Sequence, residues 1–179
     1  MGRMAPPPVY QPQPPKVMAP PKLYVVQARF ASGQPKIYPN LNASAAIPVE
    51  RSEIFQLHSF FDNYRITRGK QHGQLVANSK YIFCRMMDGG MLLHPTYRHP
   101  AIASGKPVMY AGEVYFNNGK LEWWSNGSGN YRPDADHAAQ AELPMDRFYT
   151  YEDVLRGRHK ERSARAGREG ERSFEYNVP

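Results

Sequence analysis

The stretch PVMYAGEVYFNNGKLEWWSNGSGNYRP, Pro107 to Pro133, decides how this chain is read. Two runs dense in β-branched and aromatic residues flank Asn118-Gly119, the strongest short hairpin signal, because a two-residue turn of this kind needs positive φ. With that turn, Phe116 faces Leu121 and Val114 faces Trp123 on one side, the expected core face. Tyr115 then faces Glu122, and Glu113 faces Trp124, on the other side. Beyond the second strand, WSNGSGNYRP holds more hydrogen-bonding groups and glycine than a hairpin exit needs. A functional site is therefore expected around this loop.

Working outward, KYIFCRMM and MLLHP read as a second hairpin closed by Asp88-Gly89-Gly90. LYVVQARF, from Leu23, has strand character, whereas KIYPNLNASAAIPV is broken by Pro39 and Pro48 and reads as loop. In SEIFQLHSFFDNY the spacing of Ile54, Leu57, Phe60 and Phe61 predicts a short helix capped by Ser52. HAAQAEL and YTYEDVLRGRHKERSARAG read as helices. Strands come mainly first and helices last, so the expectation is an α+β fold: a sheet rich in antiparallel hairpins with a few helices.

Three regions follow. Residues 1–22 hold eight of the 17 prolines and read as an extended arm. Residues 23–155 form the compact domain. Residues 156–179 form a basic tail, in which seven Arg/Lys face three Glu between Arg156 and Arg172. A solvated helical face and a nucleic-acid-binding arm are the competing readings of that tail.

The net charge of +7 and pI near 9.5 point to an acidic or phosphate-bearing partner such as nucleic acid or a nucleotide. A mean hydropathy of −0.67 agrees with a partly unpacked chain. No apolar run is long enough to span a bilayer, and no signal-peptide core is present. The single Cys84 excludes an intramolecular disulfide and Cys-based zinc sites. Its place in KYIFCRMM reads as a buried structural thiol rather than a nucleophile.

The six histidines form no HxH or HExxH spacing, and no Walker loop, GxGxxG or GxSxG is present. No cofactor is indicated. His94 and His99 flank the first hairpin's exit, as members of a shared site or as simple loop residues. Glu113 sits mid-strand beside Gly112, which admits the close approach of another backbone or a ligand. It reads as a general base or cation ligand, or as half of an ion pair. Ser128, Asn130 and Arg132, with backbone N–H groups bared by Gly127 and Gly129, would cradle an anion or carbonyl.

The pieces MMDGG, RHPAIASGKPVMYAGE (98 to 113) and SGNYRP (128 to 133) together resemble a domain of bacterial effector-like proteins that is shared with plant IQ-motif calmodulin-binding proteins. That pattern runs from an Asp-Gly hairpin through His-His-Ser-Ser and Ala-Gly-Glu to Ser-Gly-His-Tyr-x-Pro, and it covers about a third of the chain. Of the histidine pair only His99 is kept, Arg98 standing in the first position. Pro100 and Ala101 replace the serines, and Asn130 replaces the later histidine. No IQ motif occurs, so calmodulin is not carried over. The opening APPPVYQP is similar to PPVYRP-type leaders of secreted bacterial toxins.

The resemblance implies an effector or toxin domain held in the bacterial cytoplasm before non-classical export. A nuclease-like site would use His99 and Glu113 as acid and base, with Arg132 on phosphate. An ADP-ribosyltransferase-like site would use Tyr131, Trp124 and the neighbouring aromatic surface to hold nicotinamide, with Glu113 on the ribose. Two non-catalytic alternatives stand beside these: an adaptor or immunity-type protein that binds a protein partner through the Tyr/Trp-rich hairpin, and nucleic-acid binding through the basic tail.

Overall fold

In the computed structural model, residues 35–69 and 73–161 are described. The proposed strand from Leu23, the proline-rich arm and residues 162–179 of the tail lie outside them. The fold is α+β, with eight strands in one sheet: β1 (Phe55–Phe60), β2 (Asn63–Arg68), β3 (Leu75–Val76), β4 (Lys80–Met86), β5 (Met91–His94), β6 (Val108–Asn117), β7 (Lys120–Ser125) and β8 (Phe148–Tyr149). Their spatial order is β3-β2-β1-β5-β4-β6-β7-β8. Every pairing is antiparallel except β7 with β8. Helix is scarce among the described residues: α1 (His99–Ile102), α2 (Tyr151–Leu155), four 3-10 segments and a further helical turn at 158–161.

Turn chemistry sets both expected hairpins. Asn118 and Gly119 adopt φ of 50° and 82°, as the two-residue turn between β6 and β7 requires. Between β4 and β5, Gly89 has φ 88° and the Asp88 carboxylate accepts from the Gly90 N–H. The central pair, β4 with β6, is the spine of the sheet, aligning Phe83 with Gly112 and Ile82 with Glu113.

The second hairpin departs from the regular register at one place. Phe116 pairs with Leu121 as expected, but a β-bulge next to it sets Tyr115 against Trp123, Val114 against Trp124 and Glu113 against Ser125. An extra residue, Glu122, is accommodated on β7, and every position beyond it changes face. Trp124, expected to turn away from the core, is instead fully buried in it. Its ring meets Phe83, Tyr110 and Phe148, and its indole N–H donates to the Pro144 carbonyl at 2.7 Å. Trp123 takes the opposite face, beside Tyr115 and His159.

The expected helix Ser52–Tyr64 is a 3-10 turn, Arg51–Glu53, followed by the β1–β2 hairpin. Strand pairing outweighs the apparent helical spacing, because Phe55 aligns with Leu93 and Leu57 with the buried Ile66. Phe60 and Phe61, read as part of the apolar stripe, are exposed at the hairpin tip. Glu50, not Ser52, caps the 3-10 turn. Of HAAQAEL only 137–141 is helical, inside a 3-10 segment, Ala135–Ala141, capped by Asp134, broken at His137 and ended by Glu142 in the left-handed region. Of the long C-terminal helix expected from Tyr149, only α2 and a further helical turn at 158–161 fall among the described residues.

Cys84 is buried and burial pushes its thiol far up, consistent with a structural role. No helix among the described residues is long and apolar enough to cross a membrane.

Candidate functional site

One face of the sheet is packed by Tyr81, Phe83, Val114 and Trp124; the other carries Ile82, Glu113 and Ser125, which share a register line across β4, β6 and β7. On that second face α1 lies over β4, its His99 carbonyl taking the Cys84 thiol at 3.5 Å. The segment after β7 then turns back across the open part of the face. Together these elements enclose a cleft of about 850 Å³. Ile82 and Glu113 line it from the strands, and Arg98 and His99 from the start of α1. The 126–130 loop, Arg132, and Tyr151 at the start of α2 complete it.

The loop is held by its own polar groups. The Ser125 hydroxyl accepts from the Gly127 N–H, the Ser128 hydroxyl accepts from the Tyr131 N–H, and the Arg132 N–H donates to the Ser128 carbonyl. Asn126 ties both ends: its amide N–H donates to the Pro133 carbonyl and its oxygen accepts from the Tyr151 N–H at 2.8 Å. Arg132 sits at φ 44°, and its Nε donates to the Gly129 carbonyl. Asp134, where the loop ends, accepts from Lys36, Tyr38 and His137. Burial pushes its carboxyl upward, but those hydrogen bonds outweigh it and hold the group well below the usual carboxylate range.

His99 is buried, with Nε2 2.8 Å from the Gly112 carbonyl. A carbonyl only accepts, so Nε2 carries the hydrogen and Nδ1 is left as an acceptor. Burial lowers the ring's pKa to about 4, the carbonyl contact opposing it in part. His99 is thus a neutral imidazole near pH 7, able to accept a hydrogen bond through Nδ1 but not to act as a general acid. The folded pKa lies below the ordinary 6.5, so on acidification the unfolded chain takes the proton first. The stability tied to the neutral ring is complete above pH 6.5 and is lost as the pH falls toward 4. We expect urea denaturation to show about 3 kcal/mol of this loss between pH 7 and pH 4. His99→Gln should flatten the slope by a comparable amount, and an unchanged slope in that variant would refute the assignment.

Glu113 is partly exposed at the cleft, with Lys80 at 3.8 Å, a loose ion pair that leaves its carboxylate available. The Arg98 side chain and the terminal N–H groups of Arg132 have no hydrogen-bond partner among the described residues, so the cleft has a cationic side. The arrangement offers acceptors, Glu113 and the His99 ring, together with two guanidinium groups for an anion.

Of the residues singled out from the sequence, His99, Glu113, Ser128, Asn130 and Arg132 all line this cleft. Tyr131 does not: its ring is buried and its hydroxyl donates to the Lys106 carbonyl at 2.8 Å, pinning the loop to the segment before β6. Burial also raises its hydroxyl far above the ordinary range. Trp124 lies in the core and does not line the cleft. His94 is stacked on Tyr97, ring centroids 3.5 Å apart, with Nδ1 accepting from the Tyr97 N–H, and it does not share the cleft with His99. Sequence reading missed Tyr151 and the place of Arg98 in the cleft lining. Thr150, whose side chain caps α2, was the only local signal near Tyr151. No group of three or more His, Cys, Asp or Glu residues is placed to hold a metal ion among the described residues.

No family model matches this chain, and neither a curated protein nor a solved structure is detectably similar to it.

Proposed function

We propose that the chain is an effector- or toxin-like enzyme domain that acts on a phosphate-bearing molecule in the cleft between α1 and the 126–134 loop. The observation that carries this reading is convergence: five residues chosen for their chemistry, spread from His99 to Arg132, line one cavity together with the Arg98 side chain. In this reading Arg98 and Arg132 hold the anion, and Glu113 serves as general base against a hydroxyl or water brought beside it. His99 fixes the floor through Gly112 and offers a second acceptor. Tyr131 and Trp124 serve packing, which leaves the nicotinamide-holding role of an ADP-ribosyltransferase-like site to some other ring.

Two assays test it. Cytosolic expression should arrest growth, and purified protein should turn over NAD or single-stranded RNA. Glu113→Gln should reduce turnover about 100-fold or more at unchanged folded yield. A wild-type protein that neither arrests growth nor consumes either substrate would overturn the enzymatic reading.

A binding-only reading has one observation in its favour. Tyr115, Trp123 and His159 form an aromatic groove with Lys80 and Lys160 on the sheet's outer side. A stoichiometric protein partner lost on Tyr115→Ala, with Glu113→Gln still binding, would favour it.

A further inference from the structure

The cleft contains a feature that an anion site alone does not require. Gly127 forms part of its wall, and a side chain starting there would meet Tyr151 Cδ2 at 3.2 Å, Ser125 Oγ at 3.3 Å and the Glu113 carboxyl carbon at 3.7 Å. The tyrosine ring and the carboxylate therefore border one small volume that only the missing side chain of Gly127 keeps open. Tyr151 itself is 47% exposed, so its ring is not used by the core. Its backbone is nevertheless fixed twice: Asn126 accepts from its N–H, and Thr150 caps the turn it begins by accepting from Asp153. An exposed aromatic ring on a fixed backbone, facing a carboxylate across a bare glycine, is a stacking platform with a hydrogen-bond acceptor beside it.

We infer that Tyr151 is the ring-stacking residue of this cleft and that the ligand is a nucleotide. A planar base or nicotinamide ring would stack on the exposed part of the Tyr151 ring where it lines the cleft, the ribose hydroxyls would donate to Glu113, and the phosphate would lie toward Arg98 and Arg132. This inference rests on the anion-cleft reading and specifies its ligand class. It also supplies the ring that Tyr131 and Trp124, both buried, do not present.

The test is calorimetric titration of the full chain with AMP, nicotinamide mononucleotide, ribose 5-phosphate and inorganic phosphate. At least one of the two nucleotides should bind about tenfold or more tighter than ribose 5-phosphate, the margin expected of a stacked ring. Tyr151→Leu should erase that margin and leave ribose 5-phosphate binding unchanged. Tyr151→Phe should retain it. Arg132→Gln should weaken all four ligands, and Gly127→Val should block the nucleotides while sparing inorganic phosphate. Thermal melting of each variant verifies that it is folded; Tyr151 is on the surface, so its variants are expected to melt near the wild type. If ribose 5-phosphate binds as tightly as both nucleotides, or the leucine variant keeps the margin, the stacking inference is overturned and the anion cleft stands. If none of the four binds, the phosphate-ligand reading falls and this inference falls with it.

Discussion

Replacing Gly112 by alanine is expected to destabilise the domain by more than about 3 kcal/mol, a large share of an ordinary domain's stability. A methyl group there would stand 1.8 Å from the Ser125 carbonyl oxygen and 3.1 Å from the Phe83 ring. The nearer neighbour is backbone, so no rotamer change relieves the clash. β6 and β7 would have to separate where the second face builds its cleft. The substitution would also displace the Gly112 carbonyl that holds His99, so whatever protein remained folded should have a loosened cleft floor. Gly129→Ala is the control, because nothing lies within 4 Å of its added methyl group. Urea denaturation of both variants decides the matter: a Gly112→Ala midpoint close to the wild type would contradict the close strand approach.

Trp124→Ala should cost about 3–5 kcal/mol, the range for removing a fully buried large aromatic. The ring lies among Phe83, Tyr110 and Phe148, and no neighbour is small enough to fill the space it would leave. The loss also strands the Pro144 carbonyl that accepts from the indole. Trp124 pairs with Phe148 on β8, whose next residues lead directly into Thr150 and Tyr151, so the damage should reach the cleft wall. Trp123→Ala, on the opposite face, should cost distinctly less. Equal losses for the two would mean that the bulge does not divide them as described, and chemical denaturation measures both.

The Trp123/Trp124 pair shows where sequence pattern stops being informative. Alternation along β7 is the right rule, and counting back from the Asn118-Gly119 turn places Leu121 correctly opposite Phe116. One bulged residue then reverses the count, and nothing local in LEWWS marks it. The β1–β2 region failed for a different reason. Ile54, Leu57, Phe60 and Phe61 satisfy a helical spacing about as well as a strand, and the choice was made by partners distant in sequence, Leu93 and Ile66. The candidate site was legible to the extent that its residues are chemically conspicuous. Glu113, Ser128, Asn130 and Arg132 stand in a loop or beside glycine, and His99 stands beside a proline between two hairpins, all places where a polar group is conspicuous. Tyr151 was not legible, because an aromatic residue at the start of a short helix looks like any other.

By itself, then, the sequence determined the local geometry: Asn118-Gly119 and Asp88-Gly89-Gly90 admit the backbone angles that close two hairpins, and the β-branched and aromatic runs beside them form strands. It also placed a glycine at 112, which admits a close approach of another backbone or a ligand. The tertiary structure decided which tryptophan joins the main core, whether 54–61 is helix or strand, and that Tyr151 shares a cavity with Glu113. Those outcomes depend on contacts between segments far apart in the chain, where strand pairing and the burial of aromatic surface outweigh the small free-energy differences that local preference supplies.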